Sequence, residues 1–233
     1  MDFNTGSRPG DASEGSSCGP IFGGNSGGVD GSGNDFVLSD PIGTFLPAVS
    51  GVLLRPTAFF RGVARGGDVL GPAVFAVVCS LISGLLAGIL GLILGPIFAR
   101  SGLGTLSESF AGGAVGLILN VVLFPIYTTI FVVVVTVIYH VLVLILVRPT
   151  NGGFEATYRV VCYASAISLV GWVPVLNVVA GIYGLYVSAA GIRDLHSTTQ
   201  QRAAAVVAIP ILVIVLPLVF LSILIPIIPV SRG

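Results

Sequence analysis

Four long apolar runs separated by short polar loops set the layout of the chain. Uncharged stretches of 31, 39, 33 and 29 residues lie between Asp68 and Arg100, Glu108 and Arg148, Arg159 and Arg193, and Arg202 and Arg232. About 20 apolar residues cross a bilayer core, so each stretch holds at least one span. The third stretch is divided by Gly171-Trp-Val-Pro174, with Asn177 just beyond, into two short spans. The pattern predicts five transmembrane helices at about 69–98, 110–147, 155–172, 175–192 and 203–226, within a membrane domain at 67–230. The fold class is therefore all-α, a polytopic helical membrane protein.

Local signals place the helix ends. Thr105-Leu-Ser-Glu108 has capping-box spacing ahead of the second run, and the overlapping tetrads Ser197–Gln200 and Thr198–Gln201 have it ahead of the fifth. The second helix is longer than a bilayer core is thick, and Pro125 offers it a kink. Asn151-Gly152-Gly153 reverses the chain. Upstream, residues 41–66 read as an interfacial amphipathic segment, in which Pro56 starts a short helix. There Phe59, Phe60 and Val63 share a face turned toward lipid, and Arg61 and Arg65 share another turned toward phosphate. Residues 1–40, rich in Gly, Ser and Asp with few aliphatics, read as a disordered cytoplasmic tail.

Composition removes the soluble classes: 55% of residues are hydrophobic, 9% are charged, and the mean hydropathy is +1.05. Charge is divided along the chain. Six acids against Arg8 give residues 1–40 a net −5, and nine Arg against Asp68, Glu108, Glu155 and Asp194 give the rest +5. With five spans and the N-terminus in the cytoplasm, Arg55, Arg61, Arg65, Arg148, Arg159, Arg193 and Arg202 are cytoplasmic. Arg100 and Arg232 are then on the far side with the C-terminus, as the positive-inside rule requires. In a prokaryote this is the cell membrane. The Arg residues are scattered singly between apolar runs, which does not suit nucleic acid.

Candidate chemistry is sparse. Cys18, Cys79 and Cys162 lack metal-ligand spacing, and the arrangements of a membrane protease are missing, so neither a catalytic site nor a cofactor is expected. The candidate intramembrane polar residues are Asn120, His140 and Asn177. The amides suit cross-helix bonds or turn caps, and His140 suits a hydrogen-bonded structural role near the interface. Gly84, Gly88, Gly91 and Gly95 repeat at three or four residues and suit close helix packing, within the chain or in a homo-oligomer. Arg61, Arg65, Arg148, Arg159, Arg193, His196 and Arg202 are candidate contacts for a protein partner or lipid headgroups, and Arg159 is placed to snorkel.

Several segments together resemble a known family. LRPTAFFRGVARGGDVLGPAVFA, NGGFEATYRVVCYAS, GWVPVLNVVAGIYGLYVSAAGI and RDLHSTTQQRAAAVVAIP are similar, in order and spacing, to bacterial members of the YIP-domain family of multi-pass membrane proteins. The resemblance covers Arg55 to Pro217. It implies a five-span domain with a cytoplasmic N-terminus. Eukaryotic members of the wider family sit in early secretory membranes and bind Rab-type GTPases. No catalytic residue comes with it; Arg193, His196 and Arg202 match its loop positions. The function expected is non-enzymatic: organising protein partners or lipids through the cytoplasmic loops. The alternative is a small-solute or ion permease with His140 and Asn120 on its path, and a third reading is an accessory subunit.

Overall fold

The computed structural model describes residues 35–100, 113–147 and 152–217, all within one compact unit. These residues are helical wherever they are regular. Asp40 caps α1 (Pro41–Leu54) by accepting from the Gly43 amide at 3.0 Å. The helix stops because Pro56 forces Arg55 out of the helical region, to φ −141°. Pro56 then opens α2 (Pro56–Arg61), which ends at Gly62. The Asp68 carboxylate accepts from the amides of Leu70 (2.9 Å) and Gly71 (3.0 Å) and so starts α3 (Leu70–Arg100).

Helix α4 (Gly113–Leu146) runs through Pro125 as one helix; the Thr129 hydroxyl donates to the Pro125 carbonyl at 2.8 Å. The glycine turn before the next helix uses a positive φ of 83° at Gly153. Helix α5 (Gly153–Ala164) passes through a 3₁₀ turn at Ser165–Ile167 into the single-turn α6 (Ser168–Gly171). Pro174 sits at the start of α7 (Pro174–Leu195). Thr199 caps α8 (Gln200–Pro210), and a π turn follows at Ile211–Val215, directly after the proline.

Among the described residues, three helices are long and apolar enough to cross a membrane: Leu70–Leu94, Val115–Leu146 and Leu176–Leu195. Of the other two expected spans, the third is the broken run Gly153–Gly171, and the fifth is described only as far as Pro217. The Thr105–Glu108 box lies outside the described residues.

Packing is concentrated at one end, here called the head. Helix α5 is its axis, with Ala156, Val160, Cys162 and Tyr163 fully buried. Tyr163 meets Phe59 and Phe75 at ring-centroid distances of 5.1 and 5.2 Å. Against it pack the N-terminal half of α3 (Phe75, Cys79), the C-terminal half of α4 (Tyr139, Val143), the end of α7 (Val187, Ile192) and the start of α8 (Ala203, Val206). A Cβ on Gly191 would lie 2.8 Å from Val160, so this glycine is what lets α7 and α5 touch. The opposite halves of α3, α4 and α7 present apolar residues outward, among them Ile93, Ile118 and Ile182. That surface suits lipid.

Two expectations are corrected here. Phe59 and Phe60 are 3% and 1% exposed; they face the protein core rather than lipid, because Tyr163 and the gap at Gly191 receive them. The tail is already docked before residue 40, since Phe36 is buried against Phe75 and its amide donates to the Tyr163 hydroxyl at 3.0 Å.

Candidate interaction face and its buried support

The loop between α7 and α8 carries the densest group of expected site residues. The His196 amide closes α7 onto the Ile192 carbonyl, Ser197 takes a left-handed φ of 49°, and the Thr199 hydroxyl accepts from the Arg202 amide. This tight reversal sets Arg193, Asp194 and Gln200 side by side. Arg193 grips Asp194 with two bonds of 2.8 Å and donates to Gln200 Oε1 at 3.1 Å. Arg61 reaches the same carboxylate at 3.9 Å while remaining 71% exposed. Arg65 donates to Ser197 Oγ at 2.5 Å. Helix α2 and the α7–α8 loop therefore form one face, with Arg61 and Arg193 on the Asp194 carboxylate, Arg65 on Ser197 and Arg202 exposed in the first turn of α8, while the exposed Glu155 carboxylate holds the Gly67 amide at 2.9 Å next to Arg65. Such a face attracts carboxylates and phosphates, and planar guanidinium groups suit either.

Two expected contacts lie beneath this face, not on it. His196 is 1% exposed. The Gly152 amide donates to its Nδ1 at 3.0 Å, so that nitrogen carries the lone pair and Nε2 carries the proton. Nε2 donates to Thr157 Oγ1 at 3.1 Å, and the hydroxyl donates onward to His140 Nδ1 at 3.3 Å. Burial, with His140 and Arg65 nearby, pushes the His196 pKa down to about 4. The imidazole is thus a neutral tie joining the start of α5 to the end of α7. His140 completes this chain and packs edge-on against Phe154.

Arg159 is the other. It is 3% exposed and does not snorkel. Its guanidinium pairs with Asp35 at 3.3 Å and donates to the Asp68 carbonyl at 2.6 Å, while Nε is buried without a partner. Asp35 also accepts from Tyr163 Oη (3.1 Å) and the Ala64 amide (3.2 Å). The pair pins the N-terminal approach to α5.

The remaining candidates separate. Gly84 and Gly88 are buried, and a Cβ on Gly88 would lie 2.5 Å from Leu117 of α4, so this part of the series packs within the chain. Gly91 is partly exposed. Asn177 donates to the Gly171 carbonyl at 2.8 Å and caps the α6–α7 turn. Arg148 and the side-chain surroundings of Asn120 and Gly95 lie outside the described residues. Sequence reasoning missed Asp35 and Thr157 as supporting groups, because each meets its partners from other elements: Thr157 meets His196, 39 positions away, and Asp35 meets Tyr163, 128 away.

A family model described as the Yip1 domain matches residues 50–222. The chain belongs to the Yip1 domain family. Neither curated proteins nor solved structures give a match. The matched region of the Yip1 domain contains every residue of the face just described, the His196–Thr157–His140 chain and Arg159. It begins after Asp35, so the ion pair ties the Yip1 domain to residues preceding it.

Proposed function

We infer that this Yip1-domain membrane protein is a non-enzymatic adaptor that recruits an acidic protein segment to the membrane through its head face. The observation that carries the reading is the meeting of Arg61 and Arg193 at Asp194, with Arg202 exposed one turn into the adjoining α8, over a scaffold, His196 and Arg159, that is buried and neutralised from within. In this reading five spans carry the domain. The broken run Gly153–Gly171 is the third, α8 opens the fifth, and the head lies on the cytoplasmic side, in keeping with the Arg distribution. The permease reading has less support. The cavity among α4, α5, α7 and α8, of about 790 Å³, is lined mainly by Phe131, Val135, Ile138, Leu185 and similar side chains, and His140 is not part of it. The test is co-purification from native membranes in mild detergent with the double variant Arg61→Glu/Arg202→Glu. Partner recovery is expected to fall at least tenfold with membrane insertion unchanged. Equal recovery would remove the face from the account.

A further inference from the structure

Helix α1 has 14 residues, too few to cross a core of about 30 Å, yet it is apolar on both sides. Its inner residues Ala48 and Val52 are buried, while Ile42, Leu46 and Leu54 are 86%, 69% and 78% exposed. One hydrogen bond fixes its depth. The Tyr183 hydroxyl donates to the Leu53 carbonyl at 2.7 Å. Tyr183 lies 12 residues before Leu195, the head end of the span-length stretch Leu176–Leu195, which is ~18 Å along the axis at ~1.5 Å per residue. The end of α1 is therefore level with the middle of α7. From there Arg55-Pro56 breaks the chain, and the six residues of α2 climb ~9 Å to Arg61, beside Asp194 at the head end. The approach to α1 starts at that end as well, where Asp35 meets Arg159 and Ala64.

We propose that Pro41–Arg61 is a re-entrant helical hairpin inserted into the head-side leaflet, with Ile42, Leu46 and Leu54 packed on its acyl chains. Continuity identifies acyl chains as the occupant. Leu53 adjoins α7, whose own outward residues Val179 and Ile182 are 64% and 66% exposed on a helix of span length. The polar tip of the hairpin is also provided for. A crevice of about 360 Å³ between α1 and α2 is lined by Asp35 at head level, by Thr44 and Gly51, and by Arg55 at the break. Broken backbone at membrane depth persists where protein or a water-filled cavity covers it, and an Arg there needs a polar route to the surface. At Gly51 a Cβ would lie 2.7 Å from the Phe59 ring, so the two limbs close on each other. The hairpin thickens the protein in one leaflet only. The inference requires that α7 cross the bilayer and is independent of partner recruitment.

The test uses the full chain in phosphatidylcholine liposomes, with Cys18, Cys79 and Cys162 replaced by Ala. Nitroxide labels are placed singly through Ile42→Cys, Leu46→Cys and Leu54→Cys, with Ile182→Cys as the lipid reference and Gln201→Cys as the water reference. Collision rates with oxygen and with a nickel chelate are measured by spin resonance. The expected result is an oxygen-to-nickel ratio several-fold above the Gln201 reference at Leu46 and Leu54, rising from Ile42 to Leu54. Nickel access at all three sites equal to that at Gln201 would place α1 in water and overturn the proposal. Low collision with both reagents would put protein, such as a second copy, on this face and overturn it equally.

Discussion

Removing the Asp35 carboxylate should harm the fold more than removing both members of its ion pair. In Asp35→Ala the Arg159 guanidinium, 3% exposed, keeps the Asp68 and Gly66 carbonyls but has lost its counter-charge. Breaking a buried pair from one side costs about 3–5 kcal/mol. Arg159→Met leaves Asp35 with the Tyr163 hydroxyl and the Ala64 amide at 3.1 and 3.2 Å, plus 13% exposure, so its cost falls at or below the lower end of that range. The double variant strands no charge. It also removes the orphaned Arg159 Nε, and it should lie within about 2 kcal/mol of the parent. The assay is site-resolved alkylation of Cys162, fully buried three residues beyond Arg159, across a denaturant series in lipid micelles. Midpoints converted to free energy should show the double variant at least 2 kcal/mol better than the sum of the singles. Additive losses, or an Asp35→Ala variant indistinguishable from the parent, would refute the reasoning.

Other predictions follow from the same geometry. Gly88→Leu drives a side chain into Leu117 and should cost about 1–3 kcal/mol by overpacking, whereas Gly181→Ala, with nothing within 4 Å of its Cβ, should be neutral or slightly stabilising; thermal unfolding in micelles separates them. Thr157→Val leaves the buried His196 Nε2–H without an acceptor and should cost about 1–3 kcal/mol by the same measurement. The folded pKa of His196, about 4, lies below the ordinary 6.5, so the unfolded chain binds the extra proton between these values. The stability from its neutral form is complete above pH 6.5 and is lost as pH falls toward 4, at up to about 1.4 kcal/mol per pH unit. The slope of stability against pH in that window should flatten in His196→Gln relative to the parent, and equal slopes would contradict the assignment.

Helix placement was legible because its signals are local. Pro56, the Gly152-Gly153 turn and the break before Pro174 lie where short-range rules put them, while the cap of α8 falls on Thr199, one residue past the nearer of the two overlapping capping-box tetrads. Helix α1 was hidden by Pro41, Gly43, Pro47 and Gly51, which lower helix propensity but do not prevent a helix whose inner face is paired. The direction of Phe59 and Phe60 was misread because lipid and a protein core accept the same side chains; only Tyr163 and Gly191, far along the chain, decide between them. Arg159 and His196 were misread as surface groups for a related reason. A lone cation or imidazole at the end of an apolar run looks like an interfacial residue until its partner is known. Asp35 and Thr157 supply those partners from other elements.

The claim that the head face meets a protein is tested most directly by a photo-crosslinking residue at Gln201, which is exposed beside Arg202, with Ile182 on the apolar side of α7 as the reference. The labelled proteins are illuminated in intact native membranes and adducts are identified by mass. The account predicts a discrete protein adduct from Gln201 that is absent from Ile182 and is lost in Arg61→Glu/Arg202→Glu. The same adducts at both positions, or none but lipid at Gln201, would contradict it.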